Sequence, residues 1–422
     1  MAAVLKHWRE SATLILATSK VSQGLVVNFA GAKSSEKSVT PEQNRDWVRG
    51  SDETAYKSGT GFDVLMIKRS GKSKFMPDLH VFPGGVADDS DFSSRWLAVF
   101  KRLGSDTQKT LFSQISEKLE DACPMIARHR EPEFSTLPAD VAFRICAIRE
   151  TFEEAGVLLA RPALDSRKLV KRICTEREDH SYRAQSSGSL NTAYTHEDPQ
   201  VLKTWRARVN RDAGQFLEMC LQLDLVPEIW CLKEWANWLT PIHGKENRRR
   251  FDTFFYVCCV DHKPEAEQDF GETVNVLWAP PRQLLSAYFQ EKGGLGYPQI
   301  YELSRLLNFA SADDLLALVS SSGRARVERW FPVLGVCTDH ILTIMPGDEL
   351  YPNEPDFVAQ EPINFHVTLE ELNRAHPSQH RNYVNSQDQI YCPLYSIKPQ
   401  KGHVGPNEEG VQSILDEYKS KL

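Results

Sequence analysis

The residues whose types and spacing could do chemistry lie in one run, Arg149-Glu150-Thr151-Phe152-Glu153-Glu154-Ala155-Gly156-Val157. On a helix, at 100° per residue, Glu150, Glu153 and Glu154 fall within a stripe about 100° wide, so three carboxylates share one face. Ile145, Ile148 and Phe152 fall on the opposite face and can anchor it to a core. Like charges at i, i+3 and i+4 repel, and these sit in the last turns before Gly156, where the helix dipole favours cations. Each effect amounts to roughly a few tenths of a kcal/mol in water, but all have the same sign. They point to a missing positive charge, and a hard divalent cation supplies it: Mg²⁺ takes oxygen ligands from one or two carboxylates, waters and substrate phosphates. An acid run by itself is equally the solvated face of a surface helix, so the reading depends on what positions it.

The elements around the run follow from periodicity. Residues 11–17 and 63–67 read as buried strands, 80–82 as a short strand stopped by Pro83-Gly84-Gly85, and 254–260 and 273–278 as later strands. Residues 19–60 are polar and read as a long surface loop. The period is helical over 95–128, with stripes Trp96, Val99, Phe100, Leu103 and then Leu111, Ile115, Leu119. Pro138 marks the start of the helix that carries the acids, and Gly156 its C-terminal cap. A second helical block covers 200–223 after a polar loop at 176–198, and 301–308 and 312–320 are helical. Residues 340–345 alternate like a strand, and a polar stretch at 398–410 precedes a short amphipathic tail.

With Gly85 included, the sequence resembles the Nudix hydrolases, whose box is written G-x5-E-x7-R-E-U-x-E-E-x-G-U with U aliphatic. Gly85, five residues and Asp91 match the first half, after the strand end Phe82-Pro83-Gly84-Gly85, and Arg149 to Val157 match the second. Asp91 stands in place of the first Glu and Thr151 in place of the aliphatic residue. The 57 residues from 92 to 148 occupy a gap where the box has seven. A long insertion costs little closure entropy, so the two halves can still meet. The resemblance implies an α/β (α+β) fold, a Nudix α/β/α sandwich with a mixed sheet. It implies a Nudix domain over 8–310, with helical insertions at 92–140 and 165–235, and a C-terminal extension over 311–422. It also implies Mg²⁺ or Mn²⁺ held by Glu150, Glu153 and Glu154, Arg149 orienting those carboxylates, and water attacking a phosphorus of a diphosphate. Gly85 would form a tight turn beneath the metal, and Glu272 would be a further carboxylate.

Within that family the chain is similar to the peroxisomal acyl-coenzyme A diphosphatase branch (Nudix motif 19). The likeness rests on the interrupted box, on Phe75-Met76-Pro77-Asp78-Leu79-His80-Val81-Phe82-Pro83-Gly84-Gly85-Val86, on Arg250-Phe251-Asp252-Thr253-Phe254-Phe255 and Pro346-Gly347-Asp348-Glu349-Leu350-Tyr351, and on the ending Ser420-Lys421-Leu422. Such an ending at a free C-terminus is read by the peroxisomal import receptor. The implied reaction cleaves coenzyme A and its thioesters to 3′,5′-ADP and 4′-phosphopantetheine or its acyl form. The 3′-phosphate of that substrate needs cations away from the metal, and Lys68, Arg69, Lys72 and Lys74, or the Arg248 to Arg250 run, offer them. His80 and His243 are ambiguous between structure and chemistry. Two alternatives stay open: the same chemistry on NADH, ADP-ribose or another nucleoside diphosphate derivative, and a Nudix-fold binding protein with weak catalysis.

The bulk numbers bound the partners. A formal charge of −7 and a pI near 6.0 give no overall basic field, so nucleic acid is not expected. The longest N-terminal apolar run, Leu14-Ile15-Leu16-Ala17, is far short of a membrane span, and a soluble monomer is expected. The nine cysteines show no C-x-x-C pair and read as reduced core residues.

Overall fold

The computed structural model describes residues 7–19, 27, 61–73, 76–104, 112, 123–163, 193–242, 249–269, 271–321, 327–384, 391–397 and 404–420. Lys74, the Leu111, Ile115 and Leu119 stripe, His243, Arg248, Lys421, Leu422, and nearly all of the 19–60 loop and of 176–198 lie outside the described residues.

In chain order the first elements are β1 (Arg9–Thr18), β2 (Asp63–Arg69), β3 (His80–Val81), β4 (Gly84–Val86), a 3₁₀ turn (Asp89–Phe92), α1 (Trp96–Lys101), α2 (Pro124–Ala127), α3 (Pro132–Ser135) and α4 (Ala139–Ala155). Then come β5 (Ala160–Pro162), α5 (Pro199–Val209), α6 (Gln215–Gln222), β6 (Leu225–Pro227), β7 (Lys233–Leu239), β8 (Phe251–Val260) and β9 (Thr273–Ala279). They are followed by α7 (Pro281–Glu291), α8 (Tyr297–Leu306), α9 (Ala312–Ser321), β10 (Arg329–Trp330), β11 (Val333–Val336), β12 (Ile341–Ile344), β13 (Ile363–Asn364), α10 (Leu369–Ala375), β14 (His380–Val384), β15 (Tyr391–Tyr395) and α11 (Glu408–Lys419).

The main sheet is mixed, in the order β10-β7-β8-β1-β2-β3, with β4 also on β1 and β9 also on β2. β1 runs parallel to β8 over its whole length, from Arg9 opposite Phe251 to Thr18 opposite Val260. Both faces of β1 are covered, which is why it reads as a continuous apolar run. Ala12, Leu14 and Leu16 point into the core shared with α1, α4, α5 and α6; Ile15 and Ala17 point into the core beneath α7, α8, α9 and α11. The result is a three-layer α/β/α sandwich. A smaller sheet, in the order β13-β11-β12-β14-β15, follows it. Hydrogen bonds from Tyr301 to His380 (2.8 Å) and between Asn382 and Tyr297 (2.6 Å) tie that sheet to α8.

The described elements bear on the expected spans. Among the described residues the 95–128 segment is helical in α1 and α2: α1 ends at Lys101, Gly104 has φ +100°, and Cys123 is extended before Pro124 starts α2. The insertion placed at 165–235 overruns the sheet, because β7 begins at Lys233 and pairs antiparallel with β8. The packing continues past position 310, since Ala312 and Leu315 of α9 are in the main core and β10 pairs parallel with β7. The described part of the 398–410 stretch is tied to α8 and leads into α11, which packs on the main core. The Asn407 N–H bonds the Ser304 carbonyl at 2.9 Å, Arg305 Nε bonds the Val404 carbonyl at 2.8 Å, and Val411 and Ile414 are buried against the main core.

The eight cysteines among the described residues are free thiols; seven are buried and Cys392 is half-buried. Among the described residues, no helix is long and apolar enough to cross a membrane.

Candidate active site

α4 presents its acids because its opposite face is locked down. Ile145, Ile148 and Phe152 are buried in the core, and Phe152 lies 6.4 Å from the Phe216 ring of α6. Thr151, at the aliphatic position of the box, is also fully buried. Its hydroxyl is satisfied by donating to the Ala147 carbonyl one turn back at 2.7 Å, so the polar atom costs little there. The helix ends at Gly156 with φ +71°, a left-handed cap that favours glycine.

Arg149 organises the acids. Its guanidinium is buried and donates to both oxygens of Asp91, at 2.9 and 2.8 Å. The same group donates to Glu150 at 2.8 Å, to Glu153 at 2.7 Å and to the Val86 carbonyl at 3.1 Å. Asp91 is itself buried, in a 3₁₀ turn whose capping box pairs it with the Asp88 N–H at 2.9 Å. One arginine therefore joins the two halves of the interrupted box, and planar bidentate pairing is the geometry in which Arg surpasses Lys.

Gly84 and Gly85 close the loop beneath the acids. The Gly84 N–H donates to Glu154 Oε2 at 2.8 Å. A Cβ on Gly84 would sit 2.5 Å from the Ala12 carbonyl oxygen, and a Cβ on Gly85 would overlap the Glu150 carboxylate. At Gly84 the contact is with backbone and excludes a side chain, while at Gly85 it is with the end of the Glu150 side chain, which would have to move. Arg69 reaches Glu154 Oε1 at 3.7 Å and donates to Ser73 Oγ at 3.1 and 2.9 Å.

Burial is the first cause that raises the carboxyl pKa of all three acids above the usual range. Glu153 is pushed up to about 8; Glu154 is raised well above the usual carboxylate range, helped by the charge of Glu150, and Arg149 opposes the rise at Glu150 and Glu153. Glu272 is exposed at the rim, but its charge also acts on Glu150 and Glu154. The carboxylates outnumber the guanidiniums, an excess of negative charge that a cation could offset.

Whether the donors fit a cation can be read from their oxygens. Among the described residues, Glu150 Oε2 and Glu153 Oε2 accept no hydrogen bond, and Glu154 Oε1 is met by Arg69 at 3.7 Å, beyond hydrogen-bond reach. No three His, Cys, Asp or Glu side chains among the described residues stand at metal-ligating spacing. Arg149 draws Glu150 and Glu153 to itself and Gly84 holds Glu154, so the acids share a face without closing a cage. An ion that takes one or two carboxylates and completes its shell with water and phosphate fits such a set.

The other expected residues are spread out. Lys72 is exposed on the turn after β2, its N–H bonded to Ser70 Oγ at 3.3 Å. Arg250 lies beyond the opposite end of β1 from β2: its Nε donates to the Thr240 carbonyl at 2.9 Å and its guanidinium packs over Trp8 and Phe331. There it belongs to a structural cluster with Arg128, Arg130, Glu10, Asp252 and Arg329 and is not assembled with the acids. His80 is buried, and burial lowers its pKa to about 4. Sequence reading missed Arg206, whose Nε donates to the Glu153 carbonyl at 2.9 Å. It stands beside Arg208 on an amphipathic helix with Arg211 just beyond its end, and nothing in the sequence sets it apart.

Comparison with known proteins agrees over nearly the whole chain. A family model described as the NUDT19 Nudix domain matches residues 8–306, and one described as the NUDT19 C-terminal domain matches 334–392. A Xenopus laevis protein named acyl-coenzyme A diphosphatase NUDT19 is 35% identical over 422 residues, covering 99% of each chain. A Gallus gallus protein of the same name is 35% identical over 428 residues, again covering 99% of each. The crystal structure of a NUDIX hydrolase from Alicyclobacillus acidocaldarius overlays with a TM-score of 0.43 at 17% identity, covering 75% of this chain and 98% of that one, a likeness too remote to carry an argument.

Proposed function

The chain belongs to the NUDT19 family of Nudix hydrolases, and on that premise we propose that it is a divalent-cation-dependent diphosphatase acting on coenzyme A and its thioesters. The observation that carries the proposal is the acid set beside the Gly84-Gly85 loop: half-buried Glu150 and Glu153 gathered by Arg149, and buried Glu154 held by the Gly84 N–H. The choice of coenzyme A among diphosphates is supported by the names of the relatives.

In the proposed reaction a water oxygen bonds to one phosphorus of the diphosphate and the bridging P–O bond breaks. The departing phosphate oxygen keeps the electron pair. The products are 3′,5′-ADP and 4′-phosphopantetheine, with the acyl group retained on the thiol of an acyl substrate. Glu150, Glu153 and Glu154 would hold Mg²⁺ or Mn²⁺, which when bound neutralises phosphoryl charge and lowers the pKa of attacking water. Arg149 fixes the directions of Glu150 and Glu153 while Asp91 holds Arg149 in place. Arg69, beside Glu154 and partly exposed, is the described cation best placed to meet a phosphate oxygen. Ser420-Lys421-Leu422, as a free C-terminal signal, supports residence in the peroxisome; Ser420 is exposed at the end of α11.

Incubating the purified protein and Mg²⁺ with coenzyme A, an acyl-coenzyme A, NADH and ADP-ribose, and resolving the products by chromatography, tests the proposal. Coenzyme A or its thioester should lead and yield 3′,5′-ADP. A wide lead for NADH or ADP-ribose overturns the substrate, and turnover that persists in excess chelator overturns the metal.

A further inference from the structure

The C-terminal turn of α4 is held in an unusual way. A helix leaves its last four carbonyls without intrahelical partners, and in α4 three of those four are met from distant parts of the chain. The Phe152 carbonyl accepts from the Gly156 N–H at 2.9 Å, as a local cap. The Glu153 carbonyl accepts from Arg206 Nε at 2.9 Å, the Glu154 carbonyl from Thr273 Oγ1 at 3.1 Å, and the Ala155 carbonyl from the Glu267 N–H at 2.9 Å. Thr273 is held in turn by Asp269, whose Oδ1 accepts from its N–H at 2.9 Å and lies 2.9 Å from its hydroxyl, so the single hydroxyl proton is shared between Asp269 and the Glu154 carbonyl.

Arg206 is the only charged donor in this set. Its Nη2 also donates to the Glu267 carbonyl at 2.8 Å, so one guanidinium bridges the end of α4 to the segment leading into β9, next to Glu272. Gly156 leaves room for it: a Cβ there would come within 3.1 Å of Arg206 Nη1. A cation at a helix C-terminus offsets the dipole, here at the turn where Glu153 and Glu154 add to the negative charge.

We propose that Arg206 is a positioning residue for the reaction, a clamp by which α5, in the inserted segment ahead of β7, fixes the Glu153–Glu154 turn against the loop that carries Glu272. The insertion is then a strut of the catalytic face. The inference rests on the metal-dependent reading above. Without the clamp the last turn of α4 frays, Glu153 and Glu154 lose their common direction, and cation binding weakens before substrate arrives.

The experiment compares the full-length protein with Arg206→Ala, Arg206→Lys and the control Arg208→Ala, a neighbour on α5 that stacks on Trp205 and bonds Gln215. Amide hydrogen exchange over 150–156 and Mn²⁺ binding by paramagnetic resonance are read without substrate, and kcat and KM with it. Arg206→Ala should speed exchange in that turn, weaken Mn²⁺ binding about tenfold and lower kcat about tenfold while KM moves less than twofold. Lys should recover part of each loss, as should added guanidinium on Arg206→Ala, and Arg208→Ala should match the parent. Unchanged exchange or unchanged Mn²⁺ affinity in Arg206→Ala overturns the clamp, as does an equal loss in Arg208→Ala. Failure of the parent to bind Mn²⁺ instead overturns the metal reading, and the clamp's role in cation binding with it.

Discussion

Arg149 and Asp91, 58 positions apart in the chain, form a buried two-point ion pair at 2.9 and 2.8 Å. Through it the 3₁₀ turn after the glycine loop is fastened to the helix that carries the acids. Its consequence is that Asp91, one carbon shorter than the Glu of the family box, acts on the reaction through Arg149.

Replacing Asp91 by Ala should therefore leave the Arg149 charge buried and half-partnered. Breaking a buried pair from one side costs about 3–5 kcal/mol. A urea titration should show that loss, and turnover should fall in the fraction that stays folded. A midpoint within error of the parent would remove the pair from the stability argument.

Gly85→Ala should fold and fail to turn over. The added methyl occupies the place of the Glu150 carboxylate, so that side chain must swing away. A drop in kcat/KM on the order of a hundredfold, with a melting temperature close to the parent's, is expected by analogy with the loss of one transition-state contact. An active Gly85→Ala enzyme would mean that Glu150 works from another rotamer.

Glu153→Gln keeps the shape and a hydrogen-bond acceptor for Arg149 but removes the charge. Turnover should fall on the order of a hundredfold or more and the apparent Mg²⁺ requirement should rise. The measurement is a Mg²⁺ titration of the initial rate. Parent-like kinetics would take Glu153 out of the cation site.

His380 makes acid stability testable. Its Nδ1 lies 2.7 Å from the Pro346 carbonyl, which can only accept, so Nδ1 carries the proton and Nε2 accepts from Tyr301 OH at 2.8 Å. Burial lowers its pKa to about 4 from the usual 6.5. The native state then binds fewer protons than the unfolded chain between those values. The His380 contribution is complete above pH 6.5 and is lost as pH falls towards 4, on the order of 3 kcal/mol. Glu228, buried and pushed up to about 7, acts in the opposite sense over 4.5 to 7, so the test must isolate His380. Urea midpoints of the parent and His380→Gln at pH 7, 6 and 5 should converge as pH falls. Parallel pH profiles would show that the ring does not titrate in this range.

A fluorescent protein fused ahead of this chain should be punctate in cells and become diffuse when Leu422 is deleted. Puncta that survive the deletion would place the address elsewhere.

Local pattern by itself determined the helix that carries the acids, its Gly156 cap, the run of β1 and the Gly84-Gly85 turn, because each depends on periodicity or on one residue's backbone freedom. β7 escaped that reading: Asn237 interrupts its apolar run and is at home there only because Asp252 accepts from its amide at 2.8 Å. For the same reason, the two halves of the box are visible as residue types, while their junction is not. The pairing of Arg149 with Asp91, the clamp of Arg206 on Glu153 and the removal of Arg250 to a structural cluster depend on approach in space between positions tens of residues apart. An arginine on a helix surface is identical in sequence whether it faces water, an aromatic ring or the end of another helix. Only the packing of the insertions against the sandwich decided which carbonyl, carboxylate or ring each one meets.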